Sequence, residues 1–243
     1  MGLIKGFGNF VKKYLFNPRW RCVNCGREVF NGESFCSKCY KTLPFNDGII
    51  CGHCGRKVKA PEEYCSTCKN RLTDVDLCRS AFNYEPPIST LIKDLKYKNH
   101  RFLAEIFSEY LANVYFKNLF APDVITFVPM TKKAFRKRKF NQSELLAKFL
   151  SERVNVRVEC LLEKKKDTLR QAETNSREER LKNLKSSFKV IDKKAVIDKK
   201  ILIIDDVTTT GATAQCIAEK LKGAGAKTVY LLTVSSVPSV IGH

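Results

Sequence analysis

The sequence predicts an α/β fold with a mostly parallel sheet, preceded by a cysteine-rich N-terminal section. Three observations support this prediction. Short apolar runs alternate with helical periodicity beyond Cys78, one apolar run ends in two aspartates and a Gly/Thr turn, and Cys-x-x-Cys pairs recur between residues 22 and 68. The chain of 243 residues, 44% of them hydrophobic, is long enough for one such domain and a small appendage.

Residues 1–20 form a basic amphipathic segment. Its apolar residues recur at helical spacing with lysines between them: Leu3, Phe7, Phe10, Val11 and Tyr14, with Lys5, Lys12 and Lys13. The pattern fits a helix lying on a membrane surface, and it favours a short helix that packs on its own protein. No apolar run is long enough for a membrane span, and no secretory signal is expected.

Residues 21–78 repeat one cysteine pattern and predict a double zinc ribbon. Each copy has two Cys-x-x-Cys pairs separated by ten residues, and the second copy follows the first at an offset of 29 residues. Four thiolates make a closed tetrahedral site, which is typical of structural zinc. The predicted ligands of two structural Zn²⁺ ions are Cys22, Cys25, Cys36, Cys39, Cys51, Cys54, Cys65 and Cys68.

The pairing of these ligands is open from sequence alone, with sequential pairing the simplest arrangement. Gly26 and Gly55 each follow a cysteine pair, where glycine relieves crowding as N–H groups turn towards the thiolates. His53 is interpreted as a bystander, because the cysteines around it already satisfy the spacing. Eleven cysteines without an export signal indicate a reducing compartment, so we expect a cytoplasmic location. The three cysteines outside the repeat are predicted to be small buried residues: Cys78, Cys160 and Cys216.

Residues 79–243 predict the α/β domain itself. The predicted elements are a helical stretch over 91–115, a strand over 124–128, a basic loop over 132–139, a helix beginning near Asn141, a strand over 154–162, a polar loop or surface helix over 164–183, a strand over 201–204, a helix over 213–221 and a strand over 228–234. Strands that alternate with helices imply a mostly parallel sheet with right-handed crossovers.

The strand over 201–204 ends in two carboxylates, Asp205 and Asp206, and predicts a ligand site. In open α/β sheets such sites form at the carboxyl ends of strands. The carboxylates suit sugar hydroxyls or Mg²⁺. Backbone N–H groups of the following turn and helix N-terminus suit a phosphate, and they belong to Thr208, Thr209, Thr210, Gly211, Ala212 and Thr213.

These residues resemble the phosphoribosyl-pyrophosphate loop of type I phosphoribosyltransferases. The resemblance implies a sheet of that type, with Asp205 and Asp206 as catalytic residues that hold the ribose hydroxyls. It further implies that the Thr/Gly turn surrounds the 5′-phosphate and that Mg²⁺ binds together with phosphoribosyl pyrophosphate. Thr208 departs from the family pattern, in which an aliphatic residue is more common.

A second stretch of the sequence points to a particular family with a domain of this type. Residues 136–147 read Arg-Lys-Arg-Lys-Phe-Asn-Gln-Ser-Glu-Leu-Leu-Ala. This stretch resembles the Arg-x-Phe-Asn-Gln-x-Glu-Leu-Leu-Ala signature of the ComF family, named for competence protein F. Leu95-Lys96-Tyr97 and the stretch 177–188 resemble two further elements of that family. The resemblance implies a double zinc ribbon with a phosphoribosyltransferase-type domain. It also implies a role in natural transformation, handling incoming single-stranded DNA beside competence machinery at the inner membrane.

The basic loop carries six Lys/Arg in its eight residues, 132–139. Because it follows a strand end, we expect it at the same sheet edge as the acidic pair. Its cations suit a pyrophosphate group or the backbone of single-stranded nucleic acid, with Phe135 and Phe140 available to stack on bases. A solvated loop is the third interpretation. The residues predicted to make these contacts are Arg136, Arg138 and Lys139.

Two functions fit these observations. The first is a ComF-like DNA-uptake protein that handles single-stranded DNA and binds phosphoribosyl pyrophosphate or a related nucleotide phosphate. The formal net charge of +19 fits it, because counterion release would supply much of the affinity for DNA. The alternative is an active phosphoribosyltransferase, amidophosphoribosyltransferase-like, in nucleotide metabolism. For this alternative the sequence shows no recognisable acceptor pocket or general base.

Overall fold

A computed structural model describes residues 20–30, 32–58, 64–69, 73–165, 184 and 186–237. The predicted amphipathic segment, apart from Trp20, and most of the polar stretch 164–183 lie outside these residues. By packing, the chain divides into two compact units, 1–44 and 45–243. The two cysteine repeats therefore belong to different units, whereas the domain limits predicted from sequence group them together over 21–78.

In the part of the chain that the structure describes, the second unit contains both helices and strands, and the first contains one short helix. The helices are α1 (Ser37–Tyr40), α2 (Ser66–Lys69), α3 (Ile88–Tyr97), α4 (Phe102–Lys117), α5 (Lys132–Arg138), α6 (Gln142–Val154) and α7 (Ala212–Gly223). The strands are β1 (Leu77–Asn83), β2 (Val124–Phe127), β3 (Leu162–Lys164), β4 (Phe188–Val190), β5 (Lys200–Thr208) and β6 (Thr228–Ser236).

Four strands form a parallel sheet in the order β1-β6-β5-β2. In its register, Ile204 of β5 pairs with Phe127 of β2 and with Leu232 of β6. The strands β3 and β4 form a separate antiparallel pair. The predicted fold class is confirmed as mixed α/β with a parallel sheet, and the predicted strands over 201–204 and 228–234 are the cores of β5 and β6.

Both faces of the sheet are buried, which explains the nearly continuous apolar runs of its strands. Odd-numbered residues of β5 and β6, such as Ile203 and Leu231, pack with Ile217 and Leu221 of α7. The alternate residues of β5 point to the opposite face and are equally buried, and there α6 contacts β5 while α4 contacts β6. The acidic pair therefore lies in a strand that is packed on both faces.

Three predicted elements are wrong in part. The basic loop over 132–139 is mostly helix α5, because Thr131 caps it by accepting a hydrogen bond from Ala134 N at 3.2 Å. The predicted strand over 154–162 begins in α6 and contributes only Leu162 to β3, with an isolated parallel bridge at Val158. The helical stretch over 91–115 is two helices, α3 and α4, separated near Asn99, whose φ is 58°.

The second cysteine repeat packs on β1 within its unit. The carbonyl of His53 accepts a hydrogen bond from Cys78 N at 2.9 Å, and the carbonyl of Gly52 accepts one from the Arg79 guanidinium at 2.9 Å. Asn46 donates to the Gly55 carbonyl at 2.6 Å. These bonds fix the second ribbon to the sheet that carries the acidic pair.

Candidate functional site

The acidic strand end lies at the carboxyl end of β5, as the sequence predicts. Asp205 is partly exposed and accepts two hydrogen bonds on Oδ1, from Ser143 Oγ and from Asp206 N, each at 2.9 Å. Burial, followed by the neighbouring charge of Asp206, raises the pKa of the Asp205 carboxyl to about 8. Near neutral pH this carboxyl can therefore change its protonation state when a cation or ligand approaches.

Asp206 is buried and forms an ion pair with Lys96 of α3. Burial lowers the pKa of Lys96, but the attraction of Asp206 outweighs it and raises that pKa above its ordinary value. Lys96 is therefore charged at neutral pH. A small cavity lies at the turn after β5. Asp205 lines this cavity and Asp206 does not, so the two predicted catalytic residues occupy different environments. A sugar or Mg²⁺ would meet Asp205 first and would compete with Lys96 for Asp206.

The turn after β5 presents backbone donors. Thr208 ends the strand, its carbonyl accepts from Val237 N at 3.0 Å, and Gly211 has a left-handed φ of 78°. The N–H groups of Thr209, Thr210 and Gly211 make no hydrogen bond within the part of the chain that the structure describes. Ala212 N, at the start of α7, bonds the Thr210 hydroxyl at 3.3 Å. Free N–H groups at a helix N-terminus favour an anion.

One cation contacts this turn from outside it. The guanidinium of Arg56, in the second cysteine repeat, donates to the carbonyl of Thr209. A Cβ on Gly211 would lie 3.9 Å from the same guanidinium nitrogen. The next contact along α7 also ties the turn to the residues that follow the repeat, because Gln215 donates to Asp74 at 2.6 Å and accepts from Asp74 N at 3.2 Å.

Helix α5 lies at the same sheet edge, because it follows β2 and β2 neighbours β5. Arg136 is exposed, and Lys139 ends the helix in a left-handed conformation with φ 66°. Arg138 is half-buried, donates to Gln142 Oε1 at 2.6 Å and lies 5.2 Å from the ring centre of Tyr97. The predicted contact residues are therefore unequal: Arg136 and Lys139 face solvent, whereas Arg138 has partners within the protein.

A cavity of about 500 Å³ opens beside α5. Three cations line it, together with two carboxylates and Asn141: Lys132, Arg136, Lys164, Glu144 and Glu163. The other lining residues are apolar or aromatic: Phe127, Pro129, Met130, Phe135, Cys160, Leu162 and Ile191. Phe135 is 46% exposed at this cavity, whereas Phe140 is buried under the Arg101 guanidinium, 4.6 Å from its ring centre. Only Phe135 of the two predicted stacking residues is accessible to a base.

Residues of two of the three ComF-like motifs meet around the acidic pair. Lys96 of the Leu-Lys-Tyr element binds Asp206, and Ser143 of the longer motif binds Asp205. Asn141 caps α6 by accepting from Ser143 N at 3.0 Å, and it donates to the Val128 carbonyl at 3.0 Å. Sequence analysis indicates Lys96 and Ser143 only as parts of family motifs, and it does not predict Lys96, Ser143 or Arg56 as site residues.

The eight predicted zinc ligands form two clusters. Cys22, Cys25, Cys36 and Cys39 make the first, and Cys51, Cys54, Cys65 and Cys68 make the second, with the ligand atoms of each cluster within 4.8 Å of one another. The structure confirms sequential pairing. His53 belongs to neither cluster; its Nε2 lies 2.9 Å from the Thr73 hydroxyl, in agreement with its interpretation as a bystander.

The geometry of both clusters fits tetrahedral zinc. Zn–S bonds of roughly 2.3 Å would separate the sulfurs by about 3.8 Å. The Sγ atoms of Cys25 and Cys36 lie 3.8 Å apart, as do those of Cys54 and Cys65. Burial raises the pKa of the Cys51 thiol, but backbone N–H groups from Cys65, Cys54 and His53 outweigh it and lower that pKa to about 7. Each cluster therefore offers four sulfur ligands, as structural zinc sites do.

The other cysteines follow the prediction in two cases of three. Cys78 and Cys216 are buried, whereas Cys160 is exposed at the cavity beside α5. Burial at the cavity wall still raises the pKa of the Cys160 thiol.

Among the helices in the described ranges, none is both long and apolar enough to cross a membrane.

Comparison with known proteins identifies relatives for both parts of the chain. A double zinc ribbon domain family matches residues 11–69. The DNA utilization protein YhgH of Escherichia coli O6:H1 is 34% identical over 155 residues, which cover 61% of this chain and 67% of YhgH. Competence protein ComFC of Streptococcus pneumoniae is 31% identical, over an alignment that covers 62% of this chain and 64% of ComFC. Competence protein F of Haemophilus influenzae is 28% identical, over an alignment that covers 95% of this chain and 88% of that protein.

Solved phosphoribosyltransferases are among the similar structures. Glutamine phosphoribosylpyrophosphate amidotransferase from B. subtilis is 20% identical with a TM-score of 0.39, over 54% of this chain and 26% of that one. This chain thus spans about a quarter of that enzyme. Purine phosphoribosyltransferase from Pyrococcus horikoshii is 18% identical with a TM-score of 0.34, over 56% of this chain and 74% of that one. From its sequence relatives, with 34% identity to a protein of which it covers 67%, the chain belongs to the ComF family of competence protein F, ComFC and YhgH.

Proposed function

We propose that the second unit binds a phosphoribosyl pyrophosphate-type ligand with Mg²⁺ at residues 205–213 and binds single-stranded DNA beside α5. One observation carries this proposal: the acidic pair lies near the carboxyl end of β5, and the basic helix follows β2, the parallel strand next to it. A phosphate site and a polyanion site therefore share one edge of the sheet.

The turn after β5 supports the phosphate half of the proposal. Its free N–H groups, from Thr209 to Gly211, and the dipole of α7 would bind the 5′-phosphate. Asp205 has the carboxylate oxygens that Mg²⁺ prefers and would bind the ribose hydroxyls or the ion. When bound, Mg²⁺ would neutralise charge on the pyrophosphate. Asp206 stays paired with Lys96 until a ligand competes for its carboxylate.

Helix α5 and its cavity support the DNA half. The exposed cations Lys132 and Arg136 stand beside the exposed ring of Phe135, which is the combination that single-stranded nucleic acid binding requires. The formal net charge of +19 favours a polyanion. Relatives named for DNA utilization and competence make DNA the preferred polyanion. Competence machinery at the inner membrane is accordingly the proposed protein partner, and the thiolate clusters favour a reducing, cytoplasmic location.

Oligonucleotide titration tests the DNA half. Wild-type protein should bind a fluorescent single-stranded oligonucleotide with an affinity that falls as salt rises. Arg136→Ala should weaken it and reduce the slope of log affinity against log salt by about 0.7 for one lost phosphate contact. The matched control is Lys117→Ala, which removes an exposed cation at the end of α4 that leads to the opposite end of β2. Absence of binding at low salt, or equal loss in both variants, would refute this site.

The raised pKa of Asp205 favours a second candidate, an active phosphoribosyltransferase. An amine or base nitrogen would attack the ribose carbon as pyrophosphate leaves, and the ionised form of Asp205 would accept the proton of the nucleophile. Isotope exchange between pyrophosphate and phosphoribosyl pyrophosphate, with purines, pyrimidines and glutamine as acceptors, tests this candidate. Saturable binding without exchange would make the site a binding pocket.

A further inference from the structure

The second zinc ribbon places one arginine against the phosphate turn. Arg56 follows Gly55 in the ribbon and donates through Nη2 to the Thr209 carbonyl. That carbonyl belongs to the same residue whose N–H group is free. The guanidinium therefore lies at the turn where the proposed ligand phosphate would be bound.

The hydrogen-bonding capacity of this guanidinium is largely unused. A guanidinium has five N–H donors in a planar fork. Within the described residues, Thr209 is the acceptor that Arg56 reaches, and its Nε is buried without a hydrogen-bond partner. No described carboxylate pairs with it. A buried donor without an acceptor costs free energy, and an anion bound at the turn would remove that cost.

We propose that Arg56 is a binding residue for the ligand's 5′-phosphate, so that the second zinc ribbon completes the phosphate site of the α/β domain. The inference rests on the proposed function. One arm of the guanidinium holds the Thr209 carbonyl and another donates to the phosphate, whose remaining oxygens accept from the turn. Structural zinc in the second ribbon thereby contributes to ligand binding through the position of Arg56.

The first ribbon provides a matched control. Arg27 occupies the position in the first repeat that Arg56 occupies in the second, 29 residues later. The knuckles have the same backbone bonds, Cys22 N to Arg27 O at 2.7 Å and Cys51 N to Arg56 O at 2.9 Å. Arg27 is exposed in its own unit. Neutralising either arginine removes the same charge from the same local structure.

Calorimetric titration of full-length protein with ribose 5-phosphate, and with phosphoribosyl pyrophosphate and Mg²⁺, tests the inference. Arg56→Gln keeps an amide donor for Thr209 and loses the charged fork, so we expect both ligands to bind about 10- to 100-fold more weakly. Arg27→Gln should stay within about twofold of wild type. Zinc content of two ions per chain, as in wild type, confirms that each variant is folded.

The outcomes separate the two proposals. Wild-type protein that binds neither ligand refutes the phosphate half of the proposed function. Wild-type binding with unchanged affinity in Arg56→Gln overturns the role of Arg56 alone, as does an equal loss in Arg27→Gln. If Arg56→Gln releases zinc, Arg56→Lys replaces it. A single ammonium cannot serve both the carbonyl and the phosphate, so about tenfold weaker binding is expected and wild-type affinity would contradict the inference.

Discussion

The ion pair of Lys96 and Asp206 is the residue contact that most constrains the site. Asp206 is 4% exposed, and Lys96 is the cation that pairs with its buried carboxylate. The pair links α3 to the end of β5. It also keeps one of the two aspartates away from solvent, which distinguishes this site from a simple pair of free carboxylates.

Removal of Lys96 should therefore destabilise the protein. Lys96→Ala leaves a buried carboxylate unpaired, and we expect the free energy of unfolding to fall by about 2–4 kcal/mol, near the lower end for buried pairs because Lys96 is partly exposed. Lys98→Ala, on the same helix end, breaks the exposed pair with Asp94 and should cost less than about 0.5 kcal/mol. Urea denaturation measures both. Equal losses would show that the Lys96 pair is energetically a surface pair.

Asp205 should make stability depend on pH. Its folded pKa is about 8, far above its unfolded value of about 3.9. The folded state binds the proton more tightly, so the stabilisation from Asp205 is complete below about pH 4 and is lost as pH rises towards about 8. Asp205→Asn should lack this loss, which reaches at most about 1.4 kcal/mol per pH unit in wild type. The exposed Asp192→Asn is the control. Parallel curves for wild type and Asp205→Asn in denaturation between pH 5 and 9 would contradict the assignment.

At the scale of elements, the sequence predicted what has a strong local signal. The apolar run of β5 with the acidic pair, the turn at Gly211 and helix α7 were recognisable because each has its own pattern. Helix α5 was expected to be a loop that follows the strand over 124–128. Its six like charges also repel one another, which disfavours a helix. The Thr131 cap and the good helix propensity of Lys, Arg and Ala outweigh that repulsion. β4 was missed because three residues carry almost no periodicity.

Helix formation determines which side chains of α5 reach a ligand. The helix exposes Phe135 at the cavity, while Phe140, beyond its end, is buried. Phe135→Ala should weaken oligonucleotide binding by about 1–3 kcal/mol if one base stacks on the ring, and it should leave the salt slope unchanged because no charge is lost. Phe116→Ala, which removes another exposed ring on α4, should have no effect on affinity. A changed salt slope, or equal affinity in both variants, would exclude stacking on Phe135.

At the scale of the whole molecule, two repeats with the same cysteine spacing have different surroundings. Sequence periodicity gave the ligand sets, but it could not show that Gly55 packs on β1 or that Arg56 reaches the phosphate turn, because these contacts join residues far apart in the chain. The matched glycines show the difference. A Cβ on Gly26 would meet nothing within 4 Å, whereas a Cβ on Gly55 would lie 2.5 Å from the Cys78 carbonyl oxygen.

Alanine at these two glycines should therefore separate the folding of a zinc knuckle from its packing on the sheet. Both positions have positive φ, 72° and 66°, so each substitution costs roughly 1–2 kcal/mol from backbone strain. Gly55→Ala adds a clash with backbone that cannot rotate away, which brings its total to roughly 2–5 kcal/mol. Melting curves with limited proteolysis would show Gly55→Ala unfolding earlier, with cleavage near the second repeat, while both variants keep two zinc ions. Equal melting of Gly26→Ala and Gly55→Ala would mean that the second ribbon is not held against β1, and Arg56 would then lose its fixed position at the turn.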